Sequence, residues 1–558
     1  MSAPAPLERR RRDLETLAAE RWDLLVVGGG ITGAGILLDA ASRGLRAALI
    51  EKDDIAAGTS SRSSRLIHGG LRYLEQLQVG LIREALDERA RLLRLAPHLV
   101  RLEPFAFPVY GLPVVHRSFY QAGLTLYDIL GASRDGGRHR RLSPSGMLEL
   151  APTLRRRGLR GGLRYHDGVE DDARYALAVT RTAIARGALA LTRVRATGLH
   201  LEAGRAAGVR ARDELARDEL ARGEFVRDEL VVRAERVIDA TGVWAARPDA
   251  PFGGGRLRLA PSRGAHLVVR RERIPAAAGM TLRVPGRVVF LIPWPGYWVI
   301  GTTDAPDPTI ADRPSASSLE VHQLLSVVNR TMEVDLREDD ILGTYAGLRP
   351  LVGDAGRGST VRVSREHRVA IDSNGLVRVS GGKYTTYRVM AADAVDAALG
   401  GEARRRPSDT AELPLIGAAT AADLDLLAAG LAAQAGMSRA AADRLVARHG
   451  VQAAEVATIG EREGLLAPLG PRIQHLEAEV AWAAREELAL SLDDVLARRT
   501  RLATELPDRG ASIAPRVAEI MGAELGWDAP RREREVAVYL EGAHREYDVP
   551  ADAAEAVA

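Results

Sequence analysis

Residues 23–51, DLLVVGGGITGAGILLDAASRGLRAALIE, leave little freedom in how this chain can begin to fold. An apolar run at 23–27 predicts a buried strand, and Gly28, Gly30 and Gly33 supply G-x-G-x-x-G. Residues 33–43 then read as a helix, and a second apolar run at 46–50 ends in Glu51. The glycines permit a tight turn and close backbone approach to a pyrophosphate seated on the helix N-terminus. Glu51, about 20 residues after the turn, is placed to accept hydrogen bonds from a ribose hydroxyl. Strand, turn, helix, second strand and terminal acid all agree, so the segment predicts a dinucleotide-binding βαβ unit rather than a merely glycine-rich turn.

Two more glycine turns lie far downstream. VIDATGVWA ends a predicted strand at Gly242, and VRVSGGKYTTYR places Gly382 and Lys383 at a turn with Thr385 just inside the next helix. Three such turns fit one extended dinucleotide lying across a discontinuous domain. A nicotinamide cofactor needs only the first turn, so the pattern favours FAD, whose flavin end requires further backbone contacts. The absence of cysteine points the same way. It removes disulfides, thiolate nucleophiles, cysteine-held zinc and iron–sulfur clusters, which leaves redox chemistry to an organic cofactor or a His/carboxylate metal site.

At 558 residues the chain is too long for a single core. The alternating stretch RVVFLIPWPGYWVIGTT (287–303) predicts two antiparallel strands joined at Pro295-Gly296, part of a substrate-facing sheet. Residues 80–95 read as a helix, and an apolar stretch at 117–141 as a buried helix with a lipophilic contact as the lesser option. Four imperfect pentads at 211–230 rotate by about 140° per repeat on a helix, so their apolar residues share no face and an expanded loop or hairpin arm is expected. Beyond 401–415 the composition turns Ala/Leu/Glu/Arg-rich with helical spacing, which predicts a separate helical domain.

The expected architecture is therefore α/β: a discontinuous Rossmann-like FAD-binding domain (about 21–110, 160–265 and 345–400) with an interleaved antiparallel-sheet substrate domain (about 111–160 and 266–344). A C-terminal all-helical domain (405–558) follows, and residues 1–20, with four consecutive arginines, read as a solvated tail. No apolar run has spanning length and the N-terminus carries no apolar leader core, so neither a transmembrane helix nor a secretory signal is expected. A net charge of +3 is too small for a dedicated nucleic-acid binder.

GGGITGAGILLDAASRG, TSSRSSRLIHGGLRYL, IGTTD, YAGLRPL and GGKYTTYRVMA together resemble the FAD-dependent glycerol-3-phosphate dehydrogenase family over about residues 20–400, and DDVLARRTRL resembles that family's C-terminal domain. Leu37 stands where the family usually has alanine, and Val243 where proline is usual. The resemblance implies oxidation of glycerol 3-phosphate to dihydroxyacetone phosphate. Electrons then pass through FAD to a membrane quinone, from a peripheral position on the inner face of the cytoplasmic membrane, and a homodimer is one oligomeric option.

The resemblance also implies roles. His68 is the first choice as general base, with Arg349 as the rival that polarises the substrate oxygen while water takes the proton. Arg72, Tyr73 and Lys383, with His266 and Arg365 in second rank, bind substrate. Gly28, Gly30, Gly33, Glu51, Thr59, Ser60, Ser64, Gly242, Gly382 and Thr385 hold the cofactor, and no metal is called for. Competing readings are a glycerol-3-phosphate oxidase that uses oxygen, an amine or amino-acid oxidase of the wider FAD superfamily, and a flavin-binding interaction protein without turnover. The cations Arg72, Arg349 and Lys383 suit a phosphate dianion better than one carboxylate, and the full acid–base set speaks against a protein without turnover.

Only two of the 77 basic residues are lysine, Lys52 and Lys383. In a chain that otherwise uses arginine, a lysine at the flavin-side turn points to a role that a planar guanidinium cannot fill. Lys383→Arg is therefore expected to impair glycerol 3-phosphate oxidation, whereas Lys52→Arg, near the adenosine end where a side chain can turn to solvent, is mild. FAD content measured alongside turnover makes the comparison internal; equal, near-normal activity in both variants refutes it.

Overall fold

Leu24–Val27 carries four consecutive buried apolar side chains, a pattern that fits only a strand covered on both faces. It pairs in parallel with Ala47–Ile50 on one side and with Val237–Asp239 on the other. Leu189–Leu191 and Val377–Gly381 extend the parallel run, and His367–Ile371 closes one edge antiparallel. Helices Ile31–Ser42, Asp172–Ala185 and Tyr387–Leu399 bury one face of this six-stranded sheet against Leu24, Val26, Leu49 and Ile238. On the other face Leu25, Val27, Ala48 and Ile50 meet a four-stranded sheet ordered Arg21–Trp22, Glu229–Ala234, Arg205–Asp213, Val194–Glu202. A shift of one residue decides which layer a side chain enters.

The coordinates are a computed structural model that describes residues 5–69, 79–111, 139–216, 229–253, 259–284, 287–353 and 366–551. The expectations for Arg72, Tyr73, Arg365 and nearly all of the apolar stretch at 117–141 fall outside the described residues.

A ten-stranded mixed sheet stands beside the parallel one. Arg287–Trp294 and Tyr297–Gly301 form the antiparallel pair read from the sequence. Val100–Tyr110 and Leu159–Glu170 also belong to this sheet, so long strands of the segments assigned to the cofactor domain run in the substrate layer. Leu267 and Val269 face a cluster under helix Ser318–Thr331, while Val268 between them faces the C-terminal helices. The described ends of the pentad block belong to strands Arg205–Asp213 and Glu229–Ala234, which pair antiparallel; residues 217–228 lie outside the described set.

Two features differ from the sequence expectations. Residues Pro6–Ala19 form a helix rather than a solvated tail: Leu17 is fully buried against the four-stranded sheet, and the same face turns Arg10 inward onto the Asp213 carboxylate at 2.6 and 3.0 Å. The C-terminal residues are helical as expected and have a small core around Leu445 and Trp482, but a larger apolar cluster runs without a break from Val268, Ile292 and Val299 into Val480, Leu496 and Val517. The helices are thus packed onto the mixed sheet instead of standing apart.

Two histidines lie in this packing, His475 fully buried and His98 half-buried. Burial lowers the pKa of His98 to about 3, helped by Arg174 and His449. Burial likewise takes His475 to about 3, with Arg444 adding to the effect. Between pH 3 and 6.5 the unfolded chain binds protons at these sites and the folded chain does not, so stability falls as pH drops below about 6.5. Each histidine is expected to remove about 2 kcal/mol between pH 7 and 5. Buried Glu170 works in the opposite sense: its raised pKa lets the folded state keep a proton that the unfolded state loses, so its contribution fades as pH rises. Thermal melts of wild type and His98→Gln at both pH values check the sign; an unchanged pH dependence in the variant removes His98 as a source.

Candidate active site

The helix Ile31–Ser42 begins at Gly30 with no side chain capping it from the N-cap position and no acid in its first turn. Such a helix start is an anion site. Gly28 holds a φ of +111°, and a β-carbon there would lie 2.6 Å from the Ala240 carbonyl oxygen. A β-carbon on Gly33 would lie 1.9 Å from the Gly28 oxygen, so the third glycine of the motif serves helix–turn contact and does not itself line the cavity. Ser60 Oγ accepts from the Ile31 amide at 2.8 Å and fixes the following loop to the helix start. Glu51 accepts from the amides of Gly29 at 2.6 Å and Asp53 at 2.8 Å. Burial, then Asp53, raises its pKa, and the two amides oppose the rise.

A cavity of about 710 Å³ runs from this helix start to the mixed sheet. Gly28, Gly30, Glu51, Thr59, Ser60, Ser64, Gly242, Gly382 and Thr385 line it, as do His68, His266, Arg349 and Lys383. Residues from distant stretches of sequence therefore meet around one cavity. Strand ends explain the convergence: Val27, Ile50, Ala240 and Gly381 all sit where parallel strands finish, the edge at which open α/β sheets bind ligands. Lys52 differs from expectation. Its ammonium pairs at 2.7 Å with Asp312, which is shared with Arg247 at 3.1 Å, and lies 5.9 Å from the Trp244 ring, all four residues lining the cavity.

At the mixed-sheet end, Arg349 extends from strand Ile341–Val352, which pairs with Leu259–Arg270. Its guanidinium donates to Thr302 Oγ1 at 2.8 Å, the Thr303 carbonyl at 3.1 Å and Ser262 Oγ at 3.4 Å, with the Asp304 carboxylate 3.5 Å away. Gly264 makes room for it: a β-carbon there would stand 2.3 Å from Nη2. His266, on the neighbouring strand, is 2% exposed, shares a hydrogen bond with Ser64 Oγ at 2.8 Å and stacks on Tyr345 at 4.7 Å. Burial, with the Arg349 and Arg65 guanidiniums beside it, holds its pKa well below the usual imidazole range. His266 is therefore neutral and brings no positive charge to the site.

His68 follows the short strand Leu66–Ile67, which pairs with Gly168 and Val169. Lys383 follows Val377–Gly381, and the next residue, Tyr384, ties the turn down by donating to the Asp172 carbonyl. Sequence reasoning missed Ser262, Thr302, Asp304 and Arg65. The motif IGTTD contains two of them and was the available signal; the other two need the strand pairing to be known.

The comparisons with known proteins agree with this geometry. Residues 23–388 match the family model for FAD dependent oxidoreductases, and residues 408–532 match the C-terminal domain of alpha-glycerophosphate oxidase. Glycerol-3-phosphate dehydrogenase 2 of Mycobacterium tuberculosis is 42% identical over 529 residues, spanning 94% of this chain and 88% of that protein. The chain belongs to the FAD-dependent glycerol-3-phosphate dehydrogenase family. The Mycobacterium leprae glycerol-3-phosphate dehydrogenase is 42% identical over 537 residues, 95% of this chain and 90% of that one. The crystal structure of the Bacillus halodurans glycerol-3-phosphate dehydrogenase complexed with FAD superposes with a TM-score of 0.78 at 26% identity, covering 97% of this chain and 98% of that one. An L-alpha-glycerophosphate oxidase from Mycoplasma pneumoniae shares the fold, with a TM-score of 0.53 at 17% identity over 68% of this chain and 95% of that one.

The cofactor of this family member is FAD, and the residues fit it. The uncapped helix start suits a pyrophosphate, half-buried Glu51 a ribose, and the glycine turns at 242 and 382 the remaining length. Gly33→Ala drives a methyl group into the Gly28 carbonyl and shifts the helix start, so FAD affinity is expected to fall by roughly fivefold to a hundredfold, given a strain of 1–3 kcal/mol, and the FAD content of the purified variant to fall with it. The ratio of flavin to protein absorbance measures this; full FAD content shows that the helix start does not set affinity.

Proposed function

We propose that the chain oxidises sn-glycerol 3-phosphate to dihydroxyacetone phosphate and delivers the electrons to a membrane quinone. One observation carries the reading: the cations Arg349 and Lys383 and the imidazole of His68 line the same cavity as the FAD loops. A phosphate dianion next to a secondary alcohol calls for cations at one end and a proton acceptor at the other. The names of the mycobacterial relatives carry the same substrate.

FAD, when bound, supplies the two-electron acceptor for the hydrogen that leaves C2. In this reading His68 takes the proton of the C2 hydroxyl on an imidazole nitrogen. Arg349, already oriented by Ser262, Thr302 and Thr303, stabilises negative charge developing on that oxygen without reorganising. Lys383 brings a compact ammonium to the flavin-side turn, where a wider group would crowd the substrate. Arg72, Tyr73 and Arg365, which lie outside the described residues, complete the substrate contacts as the family pattern implies. Neutral His266 acts through the Ser64 hydroxyl and not through charge. The competing assignment gives the proton to water, with Arg349 alone polarising the oxygen.

A quinone acceptor calls for contact with the cytoplasmic face of the membrane, and we assign a peripheral one. Among the described residues no helix is long and apolar enough to cross a membrane.

Anaerobic addition of glycerol 3-phosphate is expected to bleach the oxidised-flavin absorbance of the purified protein. Persistent absorbance rejects the substrate. Reoxidation that is fast with a soluble quinone analogue and slow with oxygen supports the dehydrogenase reading, and the reverse order supports the oxidase. His68→Gln is expected to slow flavin reduction by about 10²–10⁴ with little change in substrate affinity. An unchanged reduction rate in rapid mixing passes the proton to another group.

A further inference from the structure

The loop that follows Glu51 carries Thr59, Ser60 and Ser64 into the cofactor cavity, yet its own sequence offers little to hold it. Ala56 and Arg65 sit in the left-handed region, with φ of 63° and 53°, a conformation that non-glycine residues keep only where the surroundings enforce it. What enforces it comes from more than 400 residues away. Asp54, fully buried, takes a two-pronged contact from Arg499, 2.8 Å to each oxygen, and a third from Arg498 Nε at 2.6 Å. Arg501 donates to the Ser61 carbonyl at 3.0 Å and to the carboxylates of Asp171 and Asp172. Asp172 in turn accepts from the amide of Ser63 at 3.0 Å and from its hydroxyl at 2.7 Å. A further link runs through Arg193, whose amide donates to the Asp53 carbonyl at 3.0 Å while its guanidinium holds Asp494 at 2.7 Å.

The arginines come from one short stretch of the C-terminal region. Residues Asp494–Arg499 form a turn of π-helix, a winding that recurs at functional sites, and Arg501 follows it in the left-handed region with φ 67°. Both sides of the contact are thus held in unfavourable backbone shapes by the same set of buried, charge-assisted hydrogen bonds.

We propose that Arg498, Arg499 and Arg501 are positioning residues for FAD: by clasping Asp54, Ser61 and Asp172 they set the shape in which loop 53–64 presents Thr59, Ser60 and Ser64 to the cofactor. This gives the C-terminal helical region a task in cofactor binding. The link to the helix start is direct, since Ser60 Oγ accepts from the Ile31 amide. The proposal does not depend on which substrate is oxidised.

The test uses full-length apoprotein reconstituted with FAD, followed by quenching of flavin fluorescence. Asp54→Asn keeps the shape of the loop residue and removes the charge that both arginines hold. Arg501→Lys keeps the charge but cannot span Ser61 and two carboxylates at once. Glu505→Gln is the control: Glu505 accepts from Trp294 Nε1 of the mixed sheet at 2.9 Å and from Arg444 at 3.3 Å, and takes no part in the hydrogen bonds that clasp loop 53–64. Both clasp variants are expected to raise the FAD dissociation constant by roughly tenfold or more, with an altered visible circular dichroism of bound flavin. The control shifts it by less than about twofold even where its melting temperature falls. If Asp54→Asn does not fold, Arg501→Lys carries the test alone. Wild-type FAD affinity in a folded clasp variant overturns the proposal, and so does an equal loss of affinity in Glu505→Gln at the same loss of melting temperature.

Discussion

The contact between Gly33 and the Gly28 carbonyl governs the architecture of the site, because no side chain fits between them. It draws the start of helix Ile31–Ser42 onto the end of strand Leu24–Val27, which aims the helix amides along the edge where the parallel strands finish. Of the segments that reach this edge from later in the chain, Val237–Asp239 lies in register beside the first strand and Val377–Gly381 beside Val237–Asp239, and both end in their own glycine turns. One cavity wall results from three separated stretches of backbone. The mixed sheet supplies the opposite wall, so that cofactor loops and the reacting residues face each other across it.

Around this frame the chain buries an unusual number of charges. A buried ion pair has to offset the loss of water around both partners, and it does so only with several well-directed hydrogen bonds. Arginine meets that condition better than lysine because its fork can satisfy two oxygens at once. Arg499 on Asp54, Arg378 on Asp239 and Asp372, and Arg388 on Glu88 all use it in this way. The skew toward arginine reads from sequence as drift in base composition, but in the interior it also has this structural use. Arg65 is a different case: fully buried, its guanidinium lies 4.3 Å from the Trp294 ring and 5.6 Å from Tyr345. Tyr345 stacks on His266 in turn, so the fixed positive charge of Arg65 lies one ring away from His266 and, after burial and Arg349, lowers its pKa.

The opening βαβ unit was legible in the sequence because its signals are local: periodicity, glycine spacing and a terminal acid within about 30 residues. The antiparallel pair at 287–301 and the helix Val79–Leu95 were legible for the same reason. Convergence of His68, His266, Arg349 and Lys383 on one cavity was not visible in any spacing and came from the family resemblance; the structure brings the four together. Loop 53–64 shows where reading fails. Asp54 in EKDD looks like one solvated acid among three, since nothing within several hundred residues indicates the two arginines that bury it. The N-terminal helix was misread for a simpler reason. Leu7, Leu14 and Leu17 mark one helical face, but a run of four arginines between them dominates composition and hides the periodicity.

The two histidines at the site show how environment divides labour between identical side chains. His266 lies between strands, 2% exposed, with cations on two sides, so its protonated form is penalised twice. It is a weak base, suited to fixing Ser64 and through it the end of the cofactor loop. His68 follows a two-residue strand and is half-buried on the cavity wall, an exposure that suits the general-base role we propose for it. A general base needs that access, since it must return to the neutral form before each turnover. The cation that helps burial keep His266 neutral, Arg349, is held by oxygen acceptors from strand Leu259–Arg270 and from the residues that follow strand Tyr297–Gly301, so its position is set before a substrate arrives. In the mechanism we propose, charge stabilisation and proton transfer thus fall to different residues, each supported by its own part of the mixed sheet.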